Sequence, residues 1–234
     1  MRVLVVLSIL ISASSDSIAA DFPTVAHLPS LSQVEDFGGS MGAAPGKEAR
    51  PLTALTLDMI KDFEGWEPAA YNDPVGYCTI GFGHLIALNK CEEVDLKQFK
   101  DKKLTPSEGE DLLEKDTRSA RISVQQLVTA DLNDEEFGAV SAFVFNVGKS
   151  HFADSTLLHL LNDGLSRKAA GEFGRWIRAK GVILSGLQFR RACEKMLFEQ
   201  QLKYSVDGVF HRDTCQSFSM ADASGDIVDI DTGE

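Results

Sequence analysis

Two carboxyl residues stand where a catalytic acid and a catalytic base could work together. Glu64 ends a short amphipathic segment beside Phe63 and Trp66, where partial burial would favour its protonated form. Asp73 lies in a polar turn, where it should remain ionised. Hydrolysis of a glycosidic bond uses such a pair, because one group protonates the leaving oxygen while the other activates water or attacks. With 35 Asp and Glu residues in the chain, the pair alone is weak evidence.

The elements that must position this pair are a helix and a small sheet. Leu57, Ile60 and Phe63 recur at helical spacing, and Gly65 stands where a helix is expected to end. Residues 71–84 alternate turn-forming Asn, Asp, Pro and Gly with strand-forming Tyr, Thr and Ile, which predicts a twisted hairpin sheet. Residues 89–103 are polar and predict a surface loop.

Helices are expected from there to the end of the domain. Thr105 and Glu108 form a capping box with Pro106 at the first helical position, and Asn133 begins a helix that is apolar on nearly every face. Three further helices are predicted over residues 155–162, 166–180 and 187–202. The sequence therefore predicts an α+β fold, with a small hairpin lobe, a larger helical lobe and a cleft between them.

The sequence around the two carboxyl residues resembles a known family signature over three short motifs. Residues 63–65 (FEG), 70–73 (AYND) and 76–84 (GYCTIGFGH) resemble the active-site signature of the phage-type lysozymes, glycoside hydrolase family 24. Further family motifs are matched over residues 143–148, 152–158 and 186–198, so that the resemblance covers roughly residues 51–203. It implies a lysozyme-like fold and an endo-acting muramidase that cuts the β-1,4 bonds between N-acetylmuramic acid and N-acetylglucosamine in bacterial peptidoglycan.

The resemblance also implies roles for individual residues. Glu64 would be the general acid, Asp73 the carboxylate on the other side of the sugar, and Thr79 the residue that holds a water molecule near it. This arrangement implies inversion at the anomeric carbon, although the separation of the two carboxyl groups decides between inversion and retention. The implied substrate-binding residues are Leu85, Phe145, Asn146 and Thr156. No cofactor and no metal are implied.

Other residues have competing interpretations. His84 is more simply a structural histidine paired with a carboxylate than a catalytic base. Arg190 and Arg191 could contact peptidoglycan, but salt bridges along their helix are the favoured interpretation. For the whole chain, the alternatives to a muramidase are a chitinase-like glycosidase and an inactive peptidoglycan-binding module. The intact Glu64, Asp73 and Thr79 argue against an inactive module.

The two ends of the chain differ in composition from the domain. A positive start, an apolar run over residues 3–11 and small residues up to Ala20 are typical of a secretory signal peptide at residues 1–20, with an uncleaved anchor as the alternative. Residues 21–50 read as a flexible linker, 51–203 as the catalytic domain and 204–234 as an acidic tail. We therefore expect a secreted protein, extracellular or periplasmic, without stable membrane insertion after cleavage.

The four cysteines all follow the signal segment, and an even number in an exported chain favours disulfides. Three pairings are possible. Proximity along the chain favours Cys78 with Cys91 and Cys193 with Cys215, while the alternative for Cys193 is a buried free thiol. No Cys-x-x-Cys or suitably spaced histidine is present to suggest zinc.

The formal net charge of −12 argues against nucleic acid as a partner. Residues 51–203 hold 19 Lys and Arg against 23 Asp and Glu, so most of the negative charge lies in the flanks. Because bacterial walls are anionic, we expect electrostatic capture by the wall to be poor. Peptidoglycan remains the expected partner, and the protein is expected to be a monomer.

Overall fold

A three-stranded antiparallel sheet beside a group of helices makes up most of the chain that the computed structural model describes, residues 48–215 and 225–233. The helices within these residues are Ala54–Glu64 (α1), Pro106–Asp116 (α2), Arg118–Leu127 (α3), Asp134–Val147 (α4), Lys149–Ala153 (α5), Thr156–Asn162 (α6), Ser166–Glu172 (α7) and Ser185–Phe198 (α8). The strands are Glu67–Asn72 (β1), Cys78–Gly81 (β2), His84–Ala87 (β3), Arg178–Ala179 (β4) and Val182–Ile183 (β5). Short 3-10 helices span Cys91–Glu93, Lys97–Phe99, Phe173–Arg175 and Arg212–Thr214. The predicted α+β fold class, with a small antiparallel sheet beside a helical lobe, is confirmed.

Helix α4 is the centre of the helical lobe. Nearly all of its residues from Phe137 onward are buried, and it packs against α1, α3 and α8. Phe143 makes edge-to-face contacts with Phe173 and Trp176, with ring centroids 5.4 Å apart in both cases. Each fully buried aromatic side chain contributes about 1.5–3 kcal/mol to folding, so this cluster is a main source of stability. The core supports the two helices, α1 and α8, that meet at the candidate site.

Local sequence patterns predicted several helix boundaries correctly. Helix α1 ends at Glu64, and Gly65 follows with a positive φ of 73°. The capping boxes of Thr105 with Glu108 and of Asn133 with Glu136 are both present and begin α2 and α4. These motifs involve residues three positions apart, so the rest of the fold has little influence on them.

The single helix predicted over residues 166–180 is wrong beyond Glu172. The chain passes through one 3-10 turn and then forms the β4–β5 hairpin, whose turn places Lys180 and Gly181 at positive φ. Residues 225–233 pair with this hairpin, because the Ile230 N–H donates to the Arg178 carbonyl at 2.9 Å. A distant segment thus competes with the helical periodicity of the sequence. The last helix also ends earlier than predicted, at Phe198, and Gln200 follows at a positive φ.

The C-terminal segment 225–233 is held against the hairpin by carboxylates. The amide of Gly181 donates to Asp229 at 2.6 Å, and the amide of Lys180 donates to Asp231 at 2.7 Å. Burial opposes ionisation of Asp229, but the hydrogen bonds from the backbone outweigh it and lower its pKa. Two of the acids of the predicted tail therefore contact the folded domain.

The predicted signal peptide (1–20) and nearly all of the predicted linker (21–50) lie outside the described residues. Those boundaries, and the division at residue 203, stay predictions. Among the described residues, none of the helices is both long enough and apolar enough to cross a membrane.

Candidate active site

Glu64 occupies the last position of α1, where the helix meets the sheet. Its side chain is buried, and the residue is only 6% exposed. Nη1 of Arg190, on α8, lies 2.8 Å from Oε1 of Glu64, an ion pair rather than an aligned hydrogen bond. A methyl group added to Gly83 would lie 3.6 Å from Oε2, so the β2–β3 turn passes directly against the carboxyl group. Glu64 is thus enclosed by α8 on one side and by the sheet on another.

Asp73 follows β1 in the turn that leads to β2, and the residue is 5% exposed. Its Oδ1 accepts hydrogen bonds from the amides of Val75 at 3.0 Å and Tyr77 at 2.8 Å. Pro74 and Gly76, the latter at a φ of 93°, allow the chain to fold back over the aspartate. Oδ2 is buried and accepts no hydrogen bond from any residue that the structure describes. One carboxylate oxygen therefore orients the group, while the other can accept a proton or a hydrogen bond from a ligand.

A row of side chains crosses the sheet beside these carboxyl groups. Tyr71 on β1 pairs with Thr79 on β2, which pairs with Leu85 on β3. Residues directly opposite in neighbouring strands point to the same face, so these three side chains share one face of the sheet. Asp73 comes directly after β1, and its N–H donates to the Tyr77 carbonyl at 2.9 Å. The register thus places Asp73 in the turn next to the strands that carry Tyr71 and Thr79.

Tyr71 connects the two carboxyl residues electrostatically. Burial raises the pKa of its phenol, a hydrogen bond with Thr79 opposes the rise, and the negative charges of Asp73 and Glu64 add to it. Glu67 on β1 contributes in the same way, so the phenol lies among several carboxyl groups, of which Glu64 and Asp73 are the buried ones. Tyr71 lies in the stretch that predicted the hairpin, but sequence reasoning gave it no role at the site.

A buried charge network extends from Glu64 along α8. Arg190 Nε lies 3.4 Å, and Arg191 Nη2 2.8 Å, from Oε1 of Glu194. Arg191 Nη2 also donates to Oδ1 of Asn146 at 2.9 Å. Burial raises the pKa of Glu194, which the two guanidinium groups oppose, and burial lowers the pKa of Arg191 to about 10. The predicted helix salt bridges are present.

The ion pair of Arg190 with Glu64 was not predicted. Arg190, Arg191 and Glu194 share the buried face of α8 with Leu187 and Leu197. Charged residues on an otherwise apolar helical face indicate a buried ion-pair network, and this pattern could have pointed to Arg190.

The four predicted substrate-binding residues lie in different surroundings. Leu85 belongs to the sheet row, and Asn146 joins the charge network, so both are connected to Glu64 or Asp73. Phe145 is buried in α4 beside Asn146. Thr156 is exposed at the first position of α6, and its hydroxyl accepts a hydrogen bond from Arg175 at 3.2 Å. Substrate binding by these four residues stays a prediction.

His84 pairs with a carboxylate, as its favoured interpretation expected. Its Nδ1 lies 3.0 Å from both carboxylate oxygens of Asp116 at the end of α2. This contact connects the sheet to the helical lobe, which is a structural role.

Both disulfides expected from proximity along the chain are present in the structure. Cys78–Cys91 joins β2 to the polar loop, and Cys193–Cys215 joins α8 to the segment after it. Cys78 directly precedes Thr79, so the first bond anchors the strand that presents this hydroxyl. The alternative of a free Cys193 thiol is not what the structure contains.

The candidate site contains two carboxyl groups that have different partners. Glu64 faces a guanidinium at a helix end, and Asp73 is held by backbone amides with one oxygen left available. Two such groups can supply a proton on one side of a bond and activate a nucleophile on the other.

Comparison with known proteins gives a consistent result. Residues 61–194 match the sequence profile of the phage lysozyme family. The chain is 33% identical over 149 residues to the endolysin of Bacillus phage PZA, in an alignment that covers 63% of this chain and 54% of that one. It is 34% identical over 148 residues to the endolysin of Salmonella phage P22, covering 63% and 97%. The chain thus spans about half the length of the Bacillus phage relative and nearly all of the P22 relative.

The fold is similar to that of solved structures as well. The muramidase domain of SpmX from Asticaccaulis excentricus superposes with a TM-score of 0.55 at 30% identity, covering 64% of this chain and 97% of that domain. With the profile matching more than half of its length, this chain belongs to the phage lysozyme family.

Proposed function

We propose that this chain is a lysozyme that hydrolyses the β-1,4 bonds between N-acetylmuramic acid and N-acetylglucosamine in bacterial peptidoglycan. The observation that carries the proposal is the pair of buried carboxyl groups, Glu64 at the end of α1 and Asp73 in the turn after β1, which have unlike partners. Membership of the phage lysozyme family, and relatives described as endolysins and as a muramidase domain, support the same activity.

In this proposal Glu64 is the general acid. Its proton passes to the glycosidic oxygen while the bond from that oxygen to the anomeric carbon breaks. Glu64 becomes a carboxylate in this step, and the guanidinium of Arg190, 2.8 Å from Oε1, stabilises the charge that forms. The enclosed position against Gly83 supports this role, because burial strengthens the electrostatic interactions within the site.

Asp73 and Thr79 act on the attacking water. The water oxygen bonds to the anomeric carbon, and one of its protons passes to Oδ2 of Asp73, the oxygen without a partner among the described residues. Two backbone amides on Oδ1 keep the carboxyl group of Asp73 in position, and Thr79 lies opposite Tyr71, the residue two positions before Asp73. Attack by water from the face opposite the leaving group gives inversion.

The substrate is bound by residues around this pair. Leu85 continues the sheet row next to Thr79, and Asn146 is oriented by Arg191, so these two are the substrate contacts that the described surroundings support most directly. Phe145 and Thr156 are proposed from family resemblance. Glycan strands are long and polar, which fits a site that combines carboxyl, hydroxyl and amide groups with an apolar row.

We also propose that the protein acts outside the cytoplasm, after secretion. The N-terminal apolar run supports export, and the Cys78–Cys91 and Cys193–Cys215 disulfides are consistent with an oxidising compartment.

The direct test is product analysis with the full-length chain, produced with its disulfides formed. Purified peptidoglycan is digested, the new reducing ends are reduced with borohydride, and the sugar alcohols are identified. The proposal predicts muramitol. Glucosaminitol would mean cleavage of the other glycosidic bond. Products from chitin alone would indicate a chitinase-like enzyme, and binding to peptidoglycan without any product would indicate an inactive module, so each of these three results contradicts the proposal.

A further inference from the structure

The segment after α8 follows one side of α1, although it lies outside the family match at residues 61–194. The hydroxyl of Tyr204 donates to Oδ2 of Asp58 at 2.7 Å, and Nε of Arg212 donates to Oδ2 of Asp62 at 2.6 Å. Asp58 and Asp62 are four residues apart and therefore lie on the same side of the helix. The segment thus contacts α1 at two successive turns, the second of which directly precedes Glu64.

Arg212 also caps the end of α1. Its Nη2 donates to the carbonyl of Asp62, one of the last four carbonyl groups, which have no partner inside the helix. A cation at this end is favoured by the helix dipole. Arg212 therefore satisfies the backbone of the turn that carries Glu64.

Phe63, next to Glu64, is contacted by two guanidinium groups. The Cζ atom of Arg212 lies 4.7 Å from the ring centroid, and that of Arg190 lies 5.6 Å from it, both within the range of a cation–π contact. Phe63 is buried, so its ring cannot move without displacing both groups. Since Arg190 also pairs with Glu64, the two arginines hold the same turn of helix from two positions.

The second disulfide ties Arg212 to the helix that carries Arg190. The amide of Cys215 donates to the Arg212 carbonyl at 3.1 Å, and Cys215 is bonded to Cys193, three residues after Arg190. A continuous series of contacts thus runs from Glu64 to Arg190 on α8, from α8 through the Cys193–Cys215 disulfide to Arg212, and from Arg212 back to α1.

We propose that Arg212 is a positioning residue for Glu64, held in place by the Cys193–Cys215 disulfide. The proposal rests on the proposed function of Glu64 as general acid. Arg212 does not touch substrate; it keeps the last turn of α1 intact, so that the carboxyl group of Glu64 stays aligned with the bond to be cut. Small displacements of a catalytic group are costly, because proton transfer requires hydrogen-bond distance.

The test replaces Arg212 by Gln and uses Arg50→Gln as a matched control. Arg50, which precedes α1, makes the same kinds of contact with the start of α4 instead. Its Cζ lies 4.7 Å from the centroid of the Phe137 ring, its Nη1 donates to the Leu132 carbonyl, and it forms an ion pair with Asp134. Kinetics on soluble peptidoglycan should show kcat lowered by about 10- to 100-fold for Arg212→Gln, with KM nearly unchanged. Arg50→Gln should leave kcat unchanged, and Arg212→Lys should recover part of the loss.

Amide hydrogen exchange provides a measurement that does not depend on activity. The amide of Gly65 donates to the Lys61 carbonyl at 2.9 Å and reports on the last turn of α1. Its exchange should accelerate in Arg212→Gln and in the doubly substituted Cys193→Ser/Cys215→Ser protein, but not in Arg50→Gln. Unchanged exchange, or equal losses of kcat in the Arg212 and Arg50 variants, would overturn the positioning role. If the wild-type chain cleaves no peptidoglycan, the proposed function fails, while the exchange data still decide whether Arg212 holds this turn.

Discussion

The carboxyl group of Asp73 is oriented by amides within the next four residues, whereas that of Glu64 faces a guanidinium from the last long helix of the domain. The first arrangement needs only a turn. The second needs α1, α8 and the core between them to be packed correctly. The position of Asp73 depends on its own turn, whereas the position of Glu64 depends on the packing of distant helices. Substitutions that are distant in sequence should therefore displace the carboxyl group of Glu64 more than that of Asp73.

The largest effect should come from removing the acid itself. Glu64→Gln keeps the shape of the side chain but cannot deliver a proton, so the rate on peptidoglycan should fall by about 10²–10⁴-fold or more with the fold intact. Glu93→Gln, which changes an exposed carboxylate in the loop after β3, should leave the rate unchanged. Turbidity loss of purified walls measures both, and a Glu64→Gln protein that keeps half of the rate would refute the assignment.

A smaller effect is expected from the long-range partner of Glu64. Arg190→Gln removes the contact with Glu64 and one of the two guanidinium groups beside the buried Glu194, so urea denaturation should show a free energy of unfolding lower by about 3–5 kcal/mol. The loss should be smaller in a Glu64→Gln background, because the contact between the guanidinium group of Arg190 and the carboxyl group of Glu64 is then already absent.

In an Asp73→Asn background the loss caused by Arg190→Gln should be unchanged. Among the described contacts, Arg190 pairs with Glu64 and Glu194 and Asp73 with the amides of its own turn, so the two substitutions share no direct partner and should be nearly additive. Equal losses in the Glu64→Gln and Asp73→Asn backgrounds would remove the distinction between the two carboxyl residues.

The smallest expected effect is on the hydrogen bond between Tyr204 and Asp58, the contact on α1 that is farther from Glu64. Burial and the hydrogen bond to Asp58 raise the pKa of Tyr204 from 10.0 to about 12. A pKa raised in the folded state adds stability that is complete below the unfolded value and is lost as pH rises through the folded one, here between about pH 10 and 12. Absorbance titration should show tyrosines that ionise above the ordinary pKa of 10.0 in the wild type, and Tyr204→Phe should lose one tyrosinate from this high transition, while the contribution of Tyr71 remains. A high transition of equal size in the two proteins would contradict the contact.

The difference between the two carboxyl residues also explains what the sequence could predict. The end of α1 at Glu64, the turn that holds Asp73 and both capping boxes depend on residues a few positions apart, and all were predictable. The disulfides also join cysteines close in sequence.

The features that were missed depend on distant segments. The contact of Arg190 with Glu64 requires two helices to pack, and the hairpin after Glu172 is stabilised by pairing with residues 225–233. Within residues 166–180, Gly174 is only a weak local signal against a continued helix. Periodicity predicts which face of an element is buried, but not which distant side chain will meet it.

The most direct test of the two catalytic roles, general acid for Glu64 and activation of water for Asp73, is the anomeric configuration of the first product. A soluble peptidoglycan oligosaccharide is cleaved in an NMR tube, and the anomeric proton of the new reducing end is recorded before mutarotation. If Asp73 activates water while Glu64 protonates the leaving oxygen, the α-anomer of N-acetylmuramic acid appears first. The β-anomer appearing first would mean that configuration is retained through a covalent intermediate, and would contradict the role assigned to Asp73.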